Sequence, residues 1–159
     1  MNIKIGFGVD VHQLVENRDL FIGGVKLDSD LGALGHSDAD VLLHAICDAL
    51  LGALNLRDIG FHFSDKDSKY EGIDSQILLK ETFKLIKEKG FELGNIDATV
   101  ILEKPKVNPH IPKMQKIIAD ILESDEDNVS IKATTHEKVD SFGENRAIKA
   151  YAVCLLMKN

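Results

Sequence analysis

The first residues of the chain alternate strictly between apolar and polar or glycine positions. Over residues 2–12, one face carries Ile3, Ile5, Phe7, Val9 and Val11. The opposite face carries Lys4, Gly6, Gly8, Asp10 and His12. A period of two residues is that of a β-strand, so we predict a strand here with its apolar face buried.

Helical and strand patterns are interspersed along the rest of the chain. The further predicted elements are, in order, a hairpin at 21–27, a helix capped by Ser37 that ends near Leu54, a polar loop at 57–72, a helix from Asp74 to Gly90, a strand at 96–102, a helix introduced by Pro109 and Pro112, a strand at 129–133 and a strand at 148–157. The last strand is apolar on both faces, which is typical of a central or intersubunit position. We predict one α+β domain over residues 1–159, a two-layer sandwich of a mixed sheet with helices on one face.

Composition and charge restrict the possible partners. The formal charge of −7 argues against nucleic acid or an anionic membrane surface, although a small anion can still bind. The sequence shows no leader segment and no apolar run of about 20 residues, so we expect a cytoplasmic protein. Cys47 and Cys154 stand far apart among apolar residues and are predicted to be buried thiols.

Three side chains form a candidate metal site. Asp10 and His12 alternate on one strand and point the same way, and His44 follows on the first helix. Asp40 and Asp48 lie four residues on either side of His44, where a carboxylate can fix the tautomer of a ligating imidazole. Two histidines and one carboxylate suit a catalytic Zn²⁺ site with an open position. The spacing alone also fits a chance D-x-H strand and a core histidine.

Several polar segments are suited to phosphate chemistry. Residues 35–40 open a helix, where free N–H groups, Ser37 and His36 can bind an anion, although a plain N-cap explains Ser37 equally. Residues 132–138 combine two threonines, Glu137 and two lysines, as a metal-bridged diphosphate requires. The carboxylates of residues 58–67 fit either a loop that binds sugar hydroxyls or a merely solvated loop. Residues 103–107 leave a strand with exposed backbone and can rim a base or a phosphate.

Taken in order, these segments resemble a known family. The matching motifs are Gly8-Val9-Asp10-Val11-His12, Gly35-His36-Ser37-Asp38-Ala39-Asp40 with His44, Asp58-Ile59-Gly60, Pro105-Lys106, Pro109-His110-Ile111-Pro112 and Lys132-Ala133-Thr134-Thr135 with Glu137-Lys138. The chain resembles the 2-C-methyl-D-erythritol 2,4-cyclodiphosphate synthase family over essentially its whole length. The segment 140–146 departs from the usual Arg-Gly-Glu-Gly run of that family.

The resemblance implies a homotrimeric enzyme of non-mevalonate isoprenoid biosynthesis, with active sites between subunits. The 2-phosphate of 4-diphosphocytidyl-2-C-methyl-D-erythritol 2-phosphate would attack the β-phosphorus and release CMP. By position, Asp10, His12 and His44 resemble zinc ligands, Glu137 a ligand of a second ion (Mg²⁺ or Mn²⁺), and His36 and Thr135 the catalytic groups. The implied substrate-binding residues are His36, Ser37, Asp58, Ile59, Gly60, Phe63, Ser64, Asp65, Asp67, Leu102, Glu103, Lys104, Pro105, Lys106, Val107, Asn108, Thr134, Thr135, His136 and Glu137.

Two other functions fit parts of the pattern. A zinc-dependent phosphohydrolase would use the same three ligands to activate water and would yield a linear product or free phosphate. A non-enzymatic metal-binding α+β module would use the metal set alone, and it leaves Thr134, Thr135 and Glu137 unexplained. A zinc nucleoside deaminase is disfavoured because the H-x-E and P-C-x-x-C motifs are absent.

Overall fold

The chain folds into a mixed sheet with helices, seen in a computed structural model that describes residues 2–64 and 66–158. The strands are β1 (Asn2–Glu16), β2 (Leu20–Ile22), β3 (Val25–Leu27), β4 (Leu31–Ala33), β5 (Glu92–Ile101), β6 (Val129–Thr134) and β7 (Ala147–Lys158). The α-helices are α1 (Val41–Ala53), α2 (Ile59–His62), α3 (Ser75–Glu88), α4 (Ile111–Ile121) and α5 (Asp140–Gly143). Short 3₁₀ turns occupy Ser68–Tyr70, Asn108–His110 and Glu126–Asn128.

The main sheet has five strands in the order β4-β1-β7-β5-β6. Its neighbours are antiparallel except for β5 and β6, which are parallel, so the predicted mixed α+β sheet is confirmed. Strand β7 lies between β1 and β5, which confirms the central position expected from its two apolar faces. The predicted hairpin at 21–27 is present as the separate pair β2–β3.

The helix α1 packs directly on the glycine face of β1. A Cβ atom added to Gly6 would lie 1.8 Å from the carbonyl oxygen of Ala49, and one on Gly8 would lie 2.0 Å from that of Ala45. These two glycines therefore allow the helix backbone to approach the strand closely, which brings the side chains of α1 near those of Asp10 and His12.

The apolar face of β1 is exposed in the single chain. Ile5 is 69% exposed and Phe7 is 61% exposed, and Ile3, Val9 and Val11 are exposed too. The prediction that this face is buried is therefore wrong for one chain by itself. One face of β1 is indeed covered, but it is the face that carries Gly6 and Gly8, on which α1 packs. The face that carries the apolar residues is the exposed one.

The first helix begins later than predicted. Its N-cap is Asp40, whose carboxylate accepts a hydrogen bond from the Leu43 backbone N–H at 3.0 Å. The prediction of Ser37 as the cap, with Asp38 and Asp40 inside the first turn, is wrong. Ala39 adopts a left-handed backbone conformation (φ 56°), which separates Ser37 from the helix and turns its hydroxyl towards His44.

The remaining predictions hold with shifted boundaries. Asp74 caps α3 as predicted, whereas β5 begins at Glu92 and not at Ile96. The predicted loop at 57–72 contains α2 and a 3₁₀ turn. Both cysteines are buried free thiols, as predicted. Over the described ranges 2–64 and 66–158, no helix is long and apolar enough to span a bilayer.

Replacing Asp40 with alanine should lower the free energy of unfolding by about 3 kcal/mol, because three backbone N–H groups lose their hydrogen-bond acceptor. The fully buried carboxylate accepts from the N–H groups of Gly23, Gly24 and Leu43, and so ties the β2–β3 turn to α1. Urea denaturation measures the effect. Asp120→Ala, at an exposed position of α4, is the control and should change stability by less than about 0.5 kcal/mol. Equal effects of the two variants would contradict this assignment.

Candidate functional site

Asp10, His12 and His44 converge on one point between β1 and α1. The Asp10 Oδ2 atom lies 2.8 Å from His12 Nε2 and 3.0 Å from His44 Nδ1, and the two ring nitrogens are 3.4 Å apart. Ligands of a tetrahedral zinc ion, each about 2.0–2.1 Å from the metal, lie roughly 3.3 Å from one another. The donor set and spacing therefore fit a metal ion, and the predicted grouping of these three residues is confirmed.

The surroundings of Asp10 favour its ionised form, and those of His12 fix which ring nitrogen faces the site. Burial by itself would raise the pKa of Asp10, but the contacts of its carboxylate with the His12 and His44 rings outweigh burial and lower that pKa to about 2. Burial opposes charge on His12 as well, but Asp10 raises the pKa of His12. The His12 Nδ1 atom lies 2.9 Å from the Leu34 carbonyl oxygen, to which it donates, so in the neutral ring Nε2 carries the lone pair that faces the site.

The second ring nitrogen of His44 contacts hydroxyl groups. His44 Nε2 lies 2.9 Å from Ser75 Oγ and 3.2 Å from Ser37 Oγ. The expectation that Asp40 or Asp48 orients this ring is wrong, because both carboxylates are used elsewhere. Asp40 caps α1, and Asp48 Oδ1 accepts from the Ile59 N–H at 2.8 Å and so fixes the start of α2.

The metal-site residues open into a cleft of about 400 Å³. Its lining comprises Asp10, His12, Gly35, His36, Ser37, His44, Ile59, Gly60, Phe63, Tyr70, Ile73 and Leu78. Five of the residues predicted to bind substrate are among them, namely His36, Ser37, Ile59, Gly60 and Phe63. The structure thus brings the segment before α1 and the loop after Asp58 together around the metal site.

The lining of this cleft does not include Asp58, Ser64 and Asp67, the described polar residues of the 58–67 loop that were predicted to bind substrate. Asp58 caps α2, accepting from the Phe61 N–H at 2.9 Å, and Ser64 Oγ accepts from the Lys66 N–H at 3.2 Å. The carboxylate of Asp67 accepts from the Lys69 N–H, and its carbonyl oxygen lies 3.4 Å from His36 Nε2. Asp65, predicted to bind substrate, lies outside the described residues.

A second cleft of about 270 Å³ gathers most of the other predicted substrate residues. Its lining comprises Leu102, Glu103, Pro105, Lys106, Val107, Asn108, Ala133, Thr134 and Thr135. Lys104 is exposed beside it, and His136 and Glu137 follow Thr135 along the chain. Thr135 Oγ1 donates to Glu137 Oε1 at 3.2 Å, so this hydroxyl and carboxylate act as one exposed polar pair.

The two clefts lie on different parts of one chain. Asp10 and His12 are on β1, whereas Thr135 and Glu137 follow β6, and the strands β7 and β5 separate β1 from β6. Three strand spacings amount to about 14 Å. A single chain therefore does not place Thr135 or Glu137 against the metal site.

Comparison with known proteins identifies the family of this chain. Residues 3–157 match the YgbB family. The chain belongs to the YgbB family. The 2-C-methyl-D-erythritol 2,4-cyclodiphosphate synthase of Parabacteroides distasonis is 58% identical over 158 residues, covering 99% of this chain and 98% of the relative. The resemblance inferred from the ordered motifs is thereby confirmed.

Solved structures share the fold of this YgbB-family chain. The bifunctional IspDF of Campylobacter jejuni superposes with a TM-score of 0.95 at 39% identity, covering 99% of this chain, which spans 43% of that longer protein. The IspF of Plasmodium falciparum in a CDP complex gives a TM-score of 0.87 at 38% identity, covering 99% of this chain and 98% of that one.

Some site residues of this YgbB-family chain carry no signal in the sequence. The metal cleft is also lined by Tyr70, Ile73 and Leu78. In the sequence, each of them has the pattern of an ordinary loop or helix residue. Ser75 reads as the first residue of a helix and contacts His44 only because α1 and α3 pack together. A local pattern does not reveal such a contact between positions 31 residues apart.

Proposed function

We propose that this chain converts 4-diphosphocytidyl-2-C-methyl-D-erythritol 2-phosphate into 2-C-methyl-D-erythritol 2,4-cyclodiphosphate and CMP, a step of non-mevalonate isoprenoid biosynthesis. In class it is a metal-dependent phosphorus–oxygen lyase. The observation that carries the proposal is the convergence of Asp10, His12 and His44 in a cleft, in a chain 58% identical to a named cyclodiphosphate synthase. We place the activity in one domain over residues 1–159, whose described part contains one hydrophobic core, and in the cytoplasm.

The reaction is an internal substitution at phosphorus. An oxygen of the 2-phosphate forms a bond to the β-phosphorus, and the bond from that phosphorus to the bridging oxygen breaks. The electron pair of this bond leaves with CMP, so no protein nucleophile is required. The chain must therefore hold the two phosphate groups in line and stabilise the charge on their oxygens.

His36 and Thr135 are the proposed catalytic groups. His36 lines the metal cleft and its ring is exposed, so it can donate a hydrogen bond to a phosphate oxygen there. Thr135 lines the second cleft, and its hydroxyl can bind the same phosphate chain from the other side when the two clefts face each other. Hydrogen-bond donors that are fixed in place before the reaction stabilise the transition state more than mobile water does, because they need no reorientation as charge develops.

The proposed cofactors are a zinc ion and a second divalent ion. Asp10, His12 and His44 would hold the zinc, and the ion would polarise a phosphate oxygen of the substrate. Glu137 would hold Mg²⁺ or Mn²⁺ together with phosphate oxygens. Its carboxylate is exposed and beside Thr135, and such ions are commonly bound by one or two carboxylates plus substrate phosphates.

The remaining site residues are assigned to different parts of the substrate. We assign the ribose to Asp58, Ile59 and Gly60. The methylerythritol end is assigned to Phe63, Ser64, Asp65 and Asp67. The cytidine and diphosphate are assigned to the second cleft and its rim, namely Leu102, Glu103, Lys104, Pro105, Lys106, Val107, Asn108, Thr134, His136 and Glu137, and Ser37 lies with His36 at the phosphates.

Incubation of the purified chain with this substrate and Mg²⁺ tests the proposal, followed by ³¹P spectroscopy. We expect the substrate signals to be replaced by those of one cyclic diphosphate and one equivalent of CMP. Release of inorganic phosphate or of a linear diphosphate would contradict it and would indicate a hydrolase.

We further propose that the active unit is a homotrimer with sites between subunits. The exposed apolar face of β1 supports this assembly, because Ile5 and Phe7 form part of a continuous apolar surface with Tyr151 and Val153 of β7. The separation of the two clefts supports it too, since a neighbouring subunit can supply Thr135 and Glu137 to the metal cleft.

Phe7→Glu should convert the trimer to monomers and abolish CMP release while zinc binding is retained, because the three metal ligands belong to one chain. Light scattering coupled to gel filtration gives the mass. Ile77→Glu is the matched control: Ile77 is exposed on α3 and should leave the trimer intact. A fully active monomeric variant would contradict the shared site.

A further inference from the structure

We propose that Asp38 and Ser75 are positioning residues that determine which nitrogen of His44 is free to bind the metal. This inference rests on the proposed metal centre and explains why His44 carries its proton on Nε2 and not on Nδ1. It follows from the direction of a chain of hydrogen bonds that runs from Asp38 through Ser75 to His44.

The carboxylate of Asp38 sets that direction. Asp38 Oδ1 is within hydrogen-bond distance of Ser75 Oγ, and Asp38 Oδ2 accepts from the Ser75 backbone N–H at 3.1 Å. An ionised carboxylate only accepts, so the single hydroxyl proton of Ser75 is committed to Asp38. Towards its second neighbour, Ser75 Oγ can therefore only accept a hydrogen bond.

That second neighbour is the His44 ring. His44 Nε2 lies 2.9 Å from Ser75 Oγ, and because this oxygen can only accept, Nε2 must carry the proton. A neutral imidazole has one protonated nitrogen, so Nδ1 is the bare one. Nδ1 is the atom that faces Asp10 Oδ2 and His12 Nε2, where a metal ligand needs a lone pair.

The relay is built from residues at the starts of two helices. Ser75 is fully buried, and it is the first residue of α3. Asp38 also accepts from the Asp40 N–H at 3.2 Å, so it joins the start of α1 to the start of α3. Neither residue belongs to the three ligands, yet together they orient one of them.

Ser37 is the competing partner of His44 Nε2. Its hydroxyl lies 3.2 Å from that nitrogen, farther than Ser75, and it also accepts from the Ala39 N–H at 3.1 Å. The structure gives its proton no carboxylate acceptor within the described residues. Ser37 can therefore either donate or accept, and it does not fix the tautomer.

The test is zinc affinity in the full-length chain, measured by competition with a coloured chelator. Ser75→Ala removes the acceptor, and Asp38→Asn lets an amide donate to Ser75 and so frees the serine proton for His44 Nε2. Both variants should bind zinc about 10- to 100-fold more weakly. Ser75→Thr keeps the hydroxyl and should restore affinity. Thr82→Val is the control: its buried hydroxyl lies on the same helix but is not part of the relay, and its removal should leave the zinc affinity unchanged.

A spectroscopic measurement on the unmodified protein does not depend on how the variants fold. In zinc-loaded protein with ¹⁵N-labelled histidine, His44 should show zinc on Nδ1 and a proton on Nε2. Zinc on Nε2, or affinities of the Ser75→Ala and Asp38→Asn variants within about twofold of the unmodified chain, would overturn the relay. If the relay fails but the unmodified chain binds zinc and Asp10→Ala does not, the proposed metal centre is still supported. If the unmodified chain binds no zinc, both the relay and the metal centre are wrong.

Discussion

Replacing His44 with alanine is expected to remove the bound zinc and to slow CMP release by at least about 10³-fold. The reason lies in the geometry of the site. His44 Nδ1 lies 3.0 Å from Asp10 Oδ2 and 3.4 Å from His12 Nε2, so its loss leaves two donors, which do not hold zinc tightly. Zinc content by elemental analysis and single-turnover release of CMP measure the two effects.

His110→Ala is the matched control for this change. His110 lies at the end of a 3₁₀ turn before α4, outside the metal group of the described residues, so the variant should keep its zinc. If His44→Ala retained both full zinc content and full CMP release, the assignment of the three ligands would be wrong.

Replacing Glu137 with glutamine should make the reaction nearly insensitive to Mg²⁺ and slow it by about 10²-fold. The substitution keeps the size of the side chain but removes the charge that would hold a second cation. Thr135 Oγ1 can still contact the new side chain, so the local fold should persist. The measurement is the rate of CMP release as a function of Mg²⁺ concentration, with zinc content recorded in parallel.

Two results separate the second ion from the first. Glu137→Gln should retain its zinc, because the ligands of that ion lie on β1 and α1. Glu123→Gln, at an exposed position paired with Lys87, should retain the normal Mg²⁺ response. An unchanged Mg²⁺ dependence in Glu137→Gln would remove this residue from the proposed metal ligands.

Much of this site follows from local sequence patterns. The alternation of residues 2–12 places Asp10 and His12 on the same face of a strand, and the structure keeps that relation. The helical spacing after Asp40 places His44 towards that strand. The ordered motifs then identify the family, because their conjunction over the whole chain is far more specific than any single one.

The missed features depend on contacts between distant segments. Residues 2–12 show which residues share a face, but not which face the helix covers; that depends on Gly6 and Gly8, which admit the backbone of α1. Ser37 and Asp40 are equally good capping residues by type, and the left-handed Ala39 decides between them. The partner of His44 Nε2 is Ser75, which only tertiary packing brings near.

The central claim is that the substrate's own phosphate, and not water, attacks the β-phosphorus. The ³¹P assay repeated in H₂¹⁸O tests it most directly, because hydrolysis puts one solvent oxygen into a product and ring closure puts none. We expect CMP and the cyclic diphosphate to form in equal amounts without ¹⁸O. One ¹⁸O atom per turnover in CMP or in the diphosphate product would contradict the account and assign the metal site to the activation of water.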